Sequence, residues 1–452
     1  MTAAAGNAEG PAMALRCHAC GAESELEAAF VKVRRSFRLR RRAYCPACYA
    51  RRHRSALGRW LIFYASCGGV GLALLASGRF TWLGLVLLNA FVLMLFCVLA
   101  TVVHELGHAL TAGMLGMRLF LVSIGRGKTL VERKLKGVSF VVNAIPFGGM
   151  TLAAQKSTRF YRLKALLLHV SGPLANVAML AAVFLFVDWV GLMSIVGAGM
   201  TRTLAPGYMY VLACAATLAA GARPRRTYTE FGLVPNDLLN FIKAPFLSAS
   251  EVQGGLASRF LLEALQCLKD KQYLASREWC ERGLAEHPGN VFLQHTLGVT
   301  LTELGEVAKG RELYLALLAT SGLEPQMRAL SLNNLAWADC LLGDPNLLEE
   351  ADRSSEEALR TAPWMPAFKG TRGSVLVDLE RVDEGLALLR ESMERADNPQ
   401  SKALNACYLA MGEARKGNVA EARRCLDAAR SLDPGCLLLD RASGRLAATS
   451  PT

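Results

Sequence analysis

A stretch of 38 residues with almost no charge limits what this chain can fold into. From Phe80 to Met117, Glu105 is the only formally charged residue. A soluble helix of this length would need a polar face, and the segment offers none. We therefore expect it to lie within a lipid bilayer, although it exceeds the roughly 20 residues that one straight span requires.

Further apolar segments extend this membrane region: residues 57–76, 163–190 and 206–221. Lys and Arg are concentrated on one side, because residues 118–164 carry ten of them and the loops expected outside carry little more than Arg79 and Arg202. This positive-inside pattern predicts that the chain crosses the membrane four times, with both terminal regions in the cytoplasm. The expected location is a bacterial cytoplasmic membrane. It also accounts for much of the net charge of +13.

Two CxxC pairs stand near the N-terminus, Cys17-His18-Ala19-Cys20 and Cys45-Pro46-Ala47-Cys48, with 24 residues between them. Four thiolates at this spacing suit a tetrahedral structural zinc with no open coordination position. The alternative is four unrelated reduced cysteines. The thirteen cysteines are otherwise scattered, which argues against a disulfide framework and favours a reducing compartment.

A basic cluster lies between and after these cysteine pairs and directly precedes the apolar segment at 57–76. Such a cluster can bind anionic lipid headgroups or nucleic acid. Its position beside a membrane span favours lipid as the partner and argues against nucleic acid. The cluster consists of Arg34, Arg35, Arg38, Arg40, Arg41, Arg42, Arg51, Arg52 and Arg54.

The C-terminal region, residues 250–447, carries an internal repeat. Its period is marked by prolines spaced by 37, 38, 36 and 35 residues, namely Pro288, Pro325, Pro363, Pro399 and Pro434. Small residues recur at equal offsets before two of them: Ala351 and Ala358, then Ala422 and Ala429. The pattern resembles tetratricopeptide repeats and predicts a helical solenoid that binds protein partners. An irregular helical bundle is the alternative.

His104-Glu105-Leu106-Gly107-His108 is the sharpest motif. Positions i and i+4 share one face of a helix, so both imidazoles can bind one zinc ion. The adjacent Glu105 can then act as general base towards the attacking water. A buried polar pair at a helix interface is the structural alternative, but an uncompensated charge within a membrane segment costs at least about 2.5 kcal/mol.

A catalytic zinc needs three protein ligands and one open position. We expect Asp237, in Gly232-Leu233-Val234-Pro235-Asn236-Asp237-Leu238-Leu239, to be the third ligand because it follows the last span and has apolar neighbours. A lone acid at such a place can also be a surface residue or a helix cap.

Residues 80–245 resemble the site-2 protease family of intramembrane zinc metalloproteases. The family's HExxH matches 104–108, and its later Asp ligand falls on Asp237, although the family commonly has Gly where this chain has Leu238. The segment 143–149 resembles the strand and glycine turn that follow the zinc helix, and 171–176 resembles the Gly-Pro-x-x-Asn of the next span. The resemblance implies substrate-binding roles for Asn143, Pro146, Gly148 and Asn176.

A β-hairpin is expected over residues 119–145, with its turn at Lys136-Gly137. A strand edge near Phe140 to Ile145 could pair with an unwound substrate helix, since a helix must lose its internal hydrogen bonds before water attacks it. A purely structural hairpin on the membrane surface is the alternative.

The predicted fold is mainly α: a multi-span membrane helical bundle with a short β-hairpin, an N-terminal zinc knuckle domain and a C-terminal solenoid. The expected domains are 1–56, 57–245 and 250–447. The predicted function is zinc-dependent cleavage of membrane-spanning regulatory proteins, with one catalytic and one structural zinc. A membrane scaffold with a weak or inactive metal site is the rival, whereas a soluble peptidase is disfavoured by the apolar flanks of the motif.

Overall fold

The computed structural model describes residues 15–24, 30–35, 38–186, 202–224, 226–229, 232–396 and 398–449. The chain divides into two compact units. One comprises residues 50–262, and the other combines the segment up to Tyr49 with residues 263–452.

Apolar helices form most of the first unit: α1 Pro46–Ala76, α2 Thr81–Met114, α3 Tyr161–Phe186 and α4 Pro206–Gly221. Within the described residues, three helical segments are long and apolar enough to cross a membrane: Gly58–Ala76, Thr81–Met114 and Tyr161–Ala182. The 16 residues of α4 give a length of about 24 Å, shorter than a hydrocarbon core of about 30 Å. Part of the predicted span at 163–190, its residues 187–190, lies outside the described residues.

Two glycines allow α1 and α2 to approach closely. A Cβ atom on Gly71 would lie 2.9 Å from the Gly84 carbonyl oxygen, and one on Gly84 would lie 3.0 Å from that of Gly71. Small residues of this kind let helix backbones pack tightly where no hydrophobic effect drives association in lipid.

Four short strands precede the helices: β1 Leu15–Arg16 pairs with β2 Glu23–Ser24, and β3 Val31–Arg35 pairs with β4 Arg38–Tyr44.

The hairpin consists of β5 Arg118–Leu135 and β6 Val138–Ala154. Its turn is at Lys136-Gly137, where both residues have positive φ angles of 49° and 76°, as a tight two-residue hairpin turn requires. The strands fold back on themselves, because residues 121–124 pair with 139–142 and also with 149–152.

This folding back corrects one expectation about the hairpin. Residues 139–142 pair with 131–134 as well as with 121–124, so both of their edges are occupied. The backbone from Phe140 to Val142 therefore offers no open edge for a substrate. The segment Gly149–Leu152 pairs within the hairpin only with Leu121–Ile124.

A short helix follows the last apolar helix. The strands β7 Arg226–Thr229 and β8 Gly232–Pro235 form a small ladder, after which α5 spans Asp237–Lys243. Asn236 caps α5 by accepting a hydrogen bond from the Leu239 N–H at 3.2 Å. Its amide nitrogen also donates to the carbonyl oxygens of Gly221 and Arg223, at 3.2 and 2.9 Å. These bonds tie the start of α5 to the end of α4.

The second unit is built mainly of paired helices. They are α6 Ala249–Lys269, which begins in the first unit, α7 Tyr273–Glu286, α8 Val291–Glu303, α9 Val307–Leu318, α10 Pro325–Leu342, α11 Leu348–Thr361, α12 Pro366–Asp378, α13 Val382–Arg395, α14 Pro399–Arg415, α15 Val419–Leu432 and α16 Leu439–Thr449. Each proline of the repeat stands after the second helix of a pair or at the first position of the next helix.

Small residues hold these pairs close together. Ala351, Ala358, Ala422 and Ala429 are all fully buried, as their recurrence in the sequence indicates. A Cβ on Gly373 would lie 2.8 Å from the Gly385 carbonyl oxygen, so α12 and α13 pack backbone against backbone.

Candidate active site

Helix α2 brings the two histidines of the HExxH motif together. The Nε2 atoms of His104 and His108 lie 3.2 Å apart, and the rings meet nearly at right angles. Gly107, between them in sequence, allows α3 to pack against this turn, since a Cβ there would lie 2.8 Å from the Ser171 carbonyl oxygen. The motif therefore lies at the contact between α2 and α3.

Asp237, at the first position of α5, completes a group of three potential metal ligands. Its Oδ2 atom lies 3.2 Å from His104 Nε2 and 3.5 Å from His108 Nε2. Atoms bound tetrahedrally to zinc at about 2.0–2.1 Å are about 3.3–3.4 Å apart. The three observed separations match that spacing, so these side chains can hold a zinc ion with one position left open.

The two histidines have hydrogen-bonding partners that suit metal binding. His108 Nδ1 lies 2.7 Å from the Leu168 carbonyl oxygen, which can only accept, so Nδ1 carries the proton and the Nε2 lone pair is available. The Asn176 amide nitrogen lies 3.3 Å from His104 Nδ1, while the buried Asn176 Oδ1 has no hydrogen-bond partner in the described part of the chain. Turning the amide by 180° lets that oxygen accept the His104 Nδ1 proton and frees Nε2 in the same way.

Glu105 is buried beside these ligands and is held by strand β6. Thr151 Oγ1 lies 2.7 Å from Glu105 Oε2 and 3.2 Å from the Glu105 carbonyl oxygen. Gly149 leaves the space that the carboxylate occupies, because a Cβ there would lie 2.5 Å from Glu105 Cγ. The predicted base is therefore fixed in position by two residues that the motif does not contain.

Gly172 on α3 makes room for the Nε2 atoms of the two histidines. A Cβ at this position would lie 2.4 Å from His108 Nε2 and 2.7 Å from His104 Nε2. In the sequence this Gly-Pro element was recognised only by its resemblance to the family. The structure explains why its first residue is glycine, since any side chain there would collide with the two histidines.

Asp237 is strongly biased towards its charged form. Burial opposes ionisation, but the three histidines beside the carboxylate outweigh burial and hold the pKa of Asp237 well below its usual range. A carboxylate beside two imidazoles is an appropriate donor set for a divalent cation.

The model of peptidase family M50 matches residues 90–362, more than half of the chain. The chain belongs to peptidase family M50. This family is the site-2 protease family, so the resemblance noted in the sequence is confirmed. With three helices long enough to cross a bilayer, this M50 member is an integral membrane protein.

Relatives of this M50 member are similar over short regions. A Campylobacter jejuni protein named "Putative zinc metalloprotease" is 48% identical over 46 residues, which are 10% of this chain and 12% of that protein. A Chlamydia trachomatis protein of the same name is 33% identical over 105 residues, 19% of this chain and 17% of that protein. The chain thus spans less than a fifth of the length of either relative.

Among solved structures, the TPR protein TTC0263 of Thermus thermophilus is 24% identical and has a TM-score of 0.35, covering 42% of this chain and 99% of its own. The TPR protein YrrB is 15% identical, with a TM-score of 0.28 and coverage of 41% and 90%.

A second candidate metal site of this M50 member lies in the N-terminal segment. The Sγ atoms of Cys17, Cys20, Cys45 and Cys48 all lie within 4.8 Å of one another. Cys20 Sγ and Cys45 Sγ are 3.7 Å apart, as expected for two thiolates of a tetrahedral site with Zn–S bonds of about 2.3 Å. Burial raises the pKa of Cys45 and of Cys48. At Cys17 burial acts in the same direction, but hydrogen bonds from backbone N–H groups outweigh it and lower the pKa to about 6.

This cysteine site packs against the repeat helices, a contact that no spacing in the sequence indicated. Cys17, Phe30 and Cys45 share one buried cluster with residues of α10, α11 and α12. The Phe30 ring meets the Trp364 ring edge to face, with centroids 5.4 Å apart. Ser24 Oγ donates a hydrogen bond to the Thr361 carbonyl oxygen at 2.6 Å.

The remaining sequence predictions concern substrate and lipid. Asn143 bonds within the hairpin, donating to Ser123 Oγ at 3.0 Å and to the Gly125 carbonyl oxygen at 3.3 Å. Gly148, with φ of 77°, faces Arg126. Substrate binding by Asn143, Pro146, Gly148 and Asn176 stays a prediction. The side chains of Arg34, Arg35, Arg38, Arg40, Arg41 and Arg54 lie outside the described residues, so lipid binding by the basic cluster also stays a prediction.

Proposed function

We propose that this chain is an intramembrane zinc endopeptidase that cleaves membrane-spanning regulatory proteins. His104, His108 and Asp237 hold the zinc, and Glu105 is the general base. One observation carries the proposal: the imidazole nitrogens of two histidines on α2 and the carboxylate oxygen of Asp237 on α5 converge at the separations of a zinc site. Glu105, the only formally charged residue from Phe80 to Met117, lies beside them. Ionisable groups in such a segment are costly and need a compensating function.

When bound, the zinc supplies a Lewis acid that polarises the scissile carbonyl and promotes ionisation of the attacking water. Glu105 accepts the proton of that water and later delivers it to the leaving amine. Thr151 keeps the Glu105 carboxylate oriented during both transfers through its 2.7 Å hydrogen bond. Gly149 and Gly172 keep the space around the base and the imidazoles clear.

The substrate is proposed to reach this site as an unwound helix. His108 lies six residues before Met114, where α2 ends, so the metal is about 9 Å from that end of the helix. This depth favours peptide bonds that are already in the membrane. The edge of Gly149–Leu152, next to Glu105, supports strand addition better than residues 139–142, whose edges are both paired.

The other regions have supporting roles in this proposal. The apolar helices α1 to α4 cross the membrane four times and leave the cysteine site and the repeats in the cytoplasm, as the distribution of Lys and Arg supports. The repeats form a solenoid that recruits protein partners. The cysteine site holds a second, structural zinc.

Cleavage of a membrane substrate tests the proposal. The full chain is reconstituted with a single-span reporter, and zinc content is measured for wild type and Glu105→Gln, with Glu281→Gln on the surface of α7 as the matched control. We expect cleavage by wild type and the control, and zinc without cleavage in Glu105→Gln. Equal cleavage by wild type and Glu105→Gln contradicts the proposal. If all three proteins bind zinc and none of them cleaves the reporter, the scaffold function is favoured. Leu238, in place of the glycine common in the family, would agree with that outcome.

A further inference from the structure

The two oxygens of Asp237 have different neighbours. Oδ2 faces His104 and His108, whereas Oδ1 lies 3.5 Å from the Nδ1 atom of His169. His169 belongs to no motif identified in the sequence, and it is a partly buried histidine on an apolar helix. His169 is therefore a potential hydrogen-bond donor to Oδ1, the carboxylate oxygen that faces away from the other two imidazoles.

His169 lies on the face of α3 that is directed at the candidate metal site. His169, Gly172 and Asn176 are spaced i, i+3 and i+7, and such positions share one face of a helix. Gly172 lies against the Nε2 atoms of both histidines, and Asn176 lies beside His104. The backbone carbonyl of Leu168 accepts from His108. One stretch of α3 thus contacts all three candidate ligands.

Asp237 is the ligand with the greatest need for such a partner. Its side chain is 36% exposed, compared with 7% for His108 and 21% for His104. Packing therefore restrains the carboxylate less than the imidazoles. A carboxylate that can rotate can bind a metal through either oxygen or through both, and binding through both would fill the position that a catalytic zinc must leave open.

We propose that His169 is a positioning residue that donates its Nδ1 proton to Asp237 Oδ1 and so restricts the carboxylate to binding zinc through Oδ2 alone. The proposal rests on the proposed function, because it concerns the same metal site. The separation of 3.5 Å is long for a hydrogen bond, and a small rotation of either side chain closes it. Within the described residues, the group of mutually close ligand atoms contains His104, His108 and Asp237 but not His169. His169 therefore acts on a ligand and is not one itself.

The test measures metal binding and catalysis separately in the full chain. His169→Ala removes the donor, and His169→Asn retains an N–H close to the position of Nδ1. Leu174→Ala, at an exposed position of the same helix, is the matched control. Zinc affinity is measured by chelator competition, with Asp237→Asn reporting the cysteine site alone. The visible spectrum of the Co²⁺-substituted protein reports coordination number, because four-coordinate Co²⁺ absorbs more strongly than five-coordinate Co²⁺.

We expect His169→Ala to lower zinc affinity or kcat by about 10- to 100-fold, the usual effect of losing a partner of a metal ligand. In His169→Ala the KM should stay unchanged and the Co²⁺ absorption should weaken. His169→Asn should restore most of the lost affinity or kcat and most of the Co²⁺ absorption. Wild-type affinity, spectrum and kcat in His169→Ala overturn the proposal. The proposal is also overturned if His169→Ala loses the metal and His169→Asn restores neither affinity nor activity. In that case His169 is itself a metal ligand.

The two proposals fail in distinguishable ways. If wild type cleaves nothing, the proposed function fails, but zinc affinity and the Co²⁺ spectrum still decide the role of His169. If wild type cleaves its substrate in a Glu105-dependent manner and His169→Ala matches it in every measurement, only the positioning role is lost.

Discussion

Thr151 Oγ1 lies 2.7 Å from Glu105 Oε2 and connects strand β6 to α2, the helix that carries His104 and His108. A hydrogen bond to a charged group contributes about 1.5–3 kcal/mol. We expect Thr151→Val, which keeps the shape but removes the donor, to lower kcat by about tenfold or more, whereas Thr151→Ser should keep most of the activity. Steady-state kinetics with zinc content measured in parallel provides the test. Loss of zinc from Thr151→Val would show that the contact stabilises the fold and not the base.

The space at Gly172 leads to a prediction about metal binding. Alanine there would place Cβ 2.4 Å from His108 Nε2, closer than any real Cβ contact, so the imidazoles must move. We expect Gly172→Ala to lose zinc from the site on α2 while the cysteine site keeps its metal, as measured by metal analysis and chelator competition. Gly113→Ala, on α2 with nothing within 4 Å of its Cβ, is the matched control and should bind zinc normally. Full metal content in Gly172→Ala would contradict this geometry.

Local spacing explains which parts of the site could be predicted. The contact of His104 with His108 follows from a helix period of 3.6 residues, and the four cysteines follow from two short knuckles. Asp237 lies far along the chain, and it was selected through the need for a third ligand, its place after the last span, its apolar neighbours and the family resemblance. The structure places it 3.2 Å from His104.

The missed residues have in common that their contacts are long-range. Thr151 and Gly149 contact Glu105 from a hairpin strand, and His169 contacts Asp237 from another helix. The helix and strand periods of the sequence predict local contacts and do not indicate such pairings. The doubling of the hairpin was missed for the same reason, because alternation predicts strands but not a segment paired on both edges. The helix pairs of the repeat region were predictable because each pair forms mainly local contacts.

The contact between the cysteine site and the repeats predicts that metal removal loosens specific helices. Phe30 lies between the two cysteine pairs in the sequence, and its ring packs on Trp364. Structural zinc sites contribute directly to folding. We expect Cys48→Ser to raise hydrogen exchange in α11 and α12 of the full chain, residues 348–378, with little change in α7.

Two variants make this prediction specific. Phe30→Ala should raise exchange in the same helices while the cysteine site retains its zinc, because it removes the contact and not the ligands. Cys425→Ser, outside both candidate metal sites, should leave exchange there unchanged. Normal protection of α11 and α12 in both Cys48→Ser and Phe30→Ala would show that the contact does not stabilise the repeats.

His295 on α8 predicts a loss of repeat stability in acid. Burial lowers the pKa of His295 to about 4, although a backbone hydrogen bond at Leu330 opposes the shift, whereas an unfolded histidine has a pKa of about 6.5. Between these values the unfolded state binds more protons than the folded state, so stability falls as pH decreases from about 6.5 to about 4 and is fully present above that range. The loss can reach about 3 kcal/mol. Hydrogen exchange of α8 and α10 in the full chain at pH 7 and pH 5 measures it, and His295→Gln, which cannot titrate, should show a smaller difference between the two. An equal pH difference in wild type and His295→Gln would assign the effect to other groups.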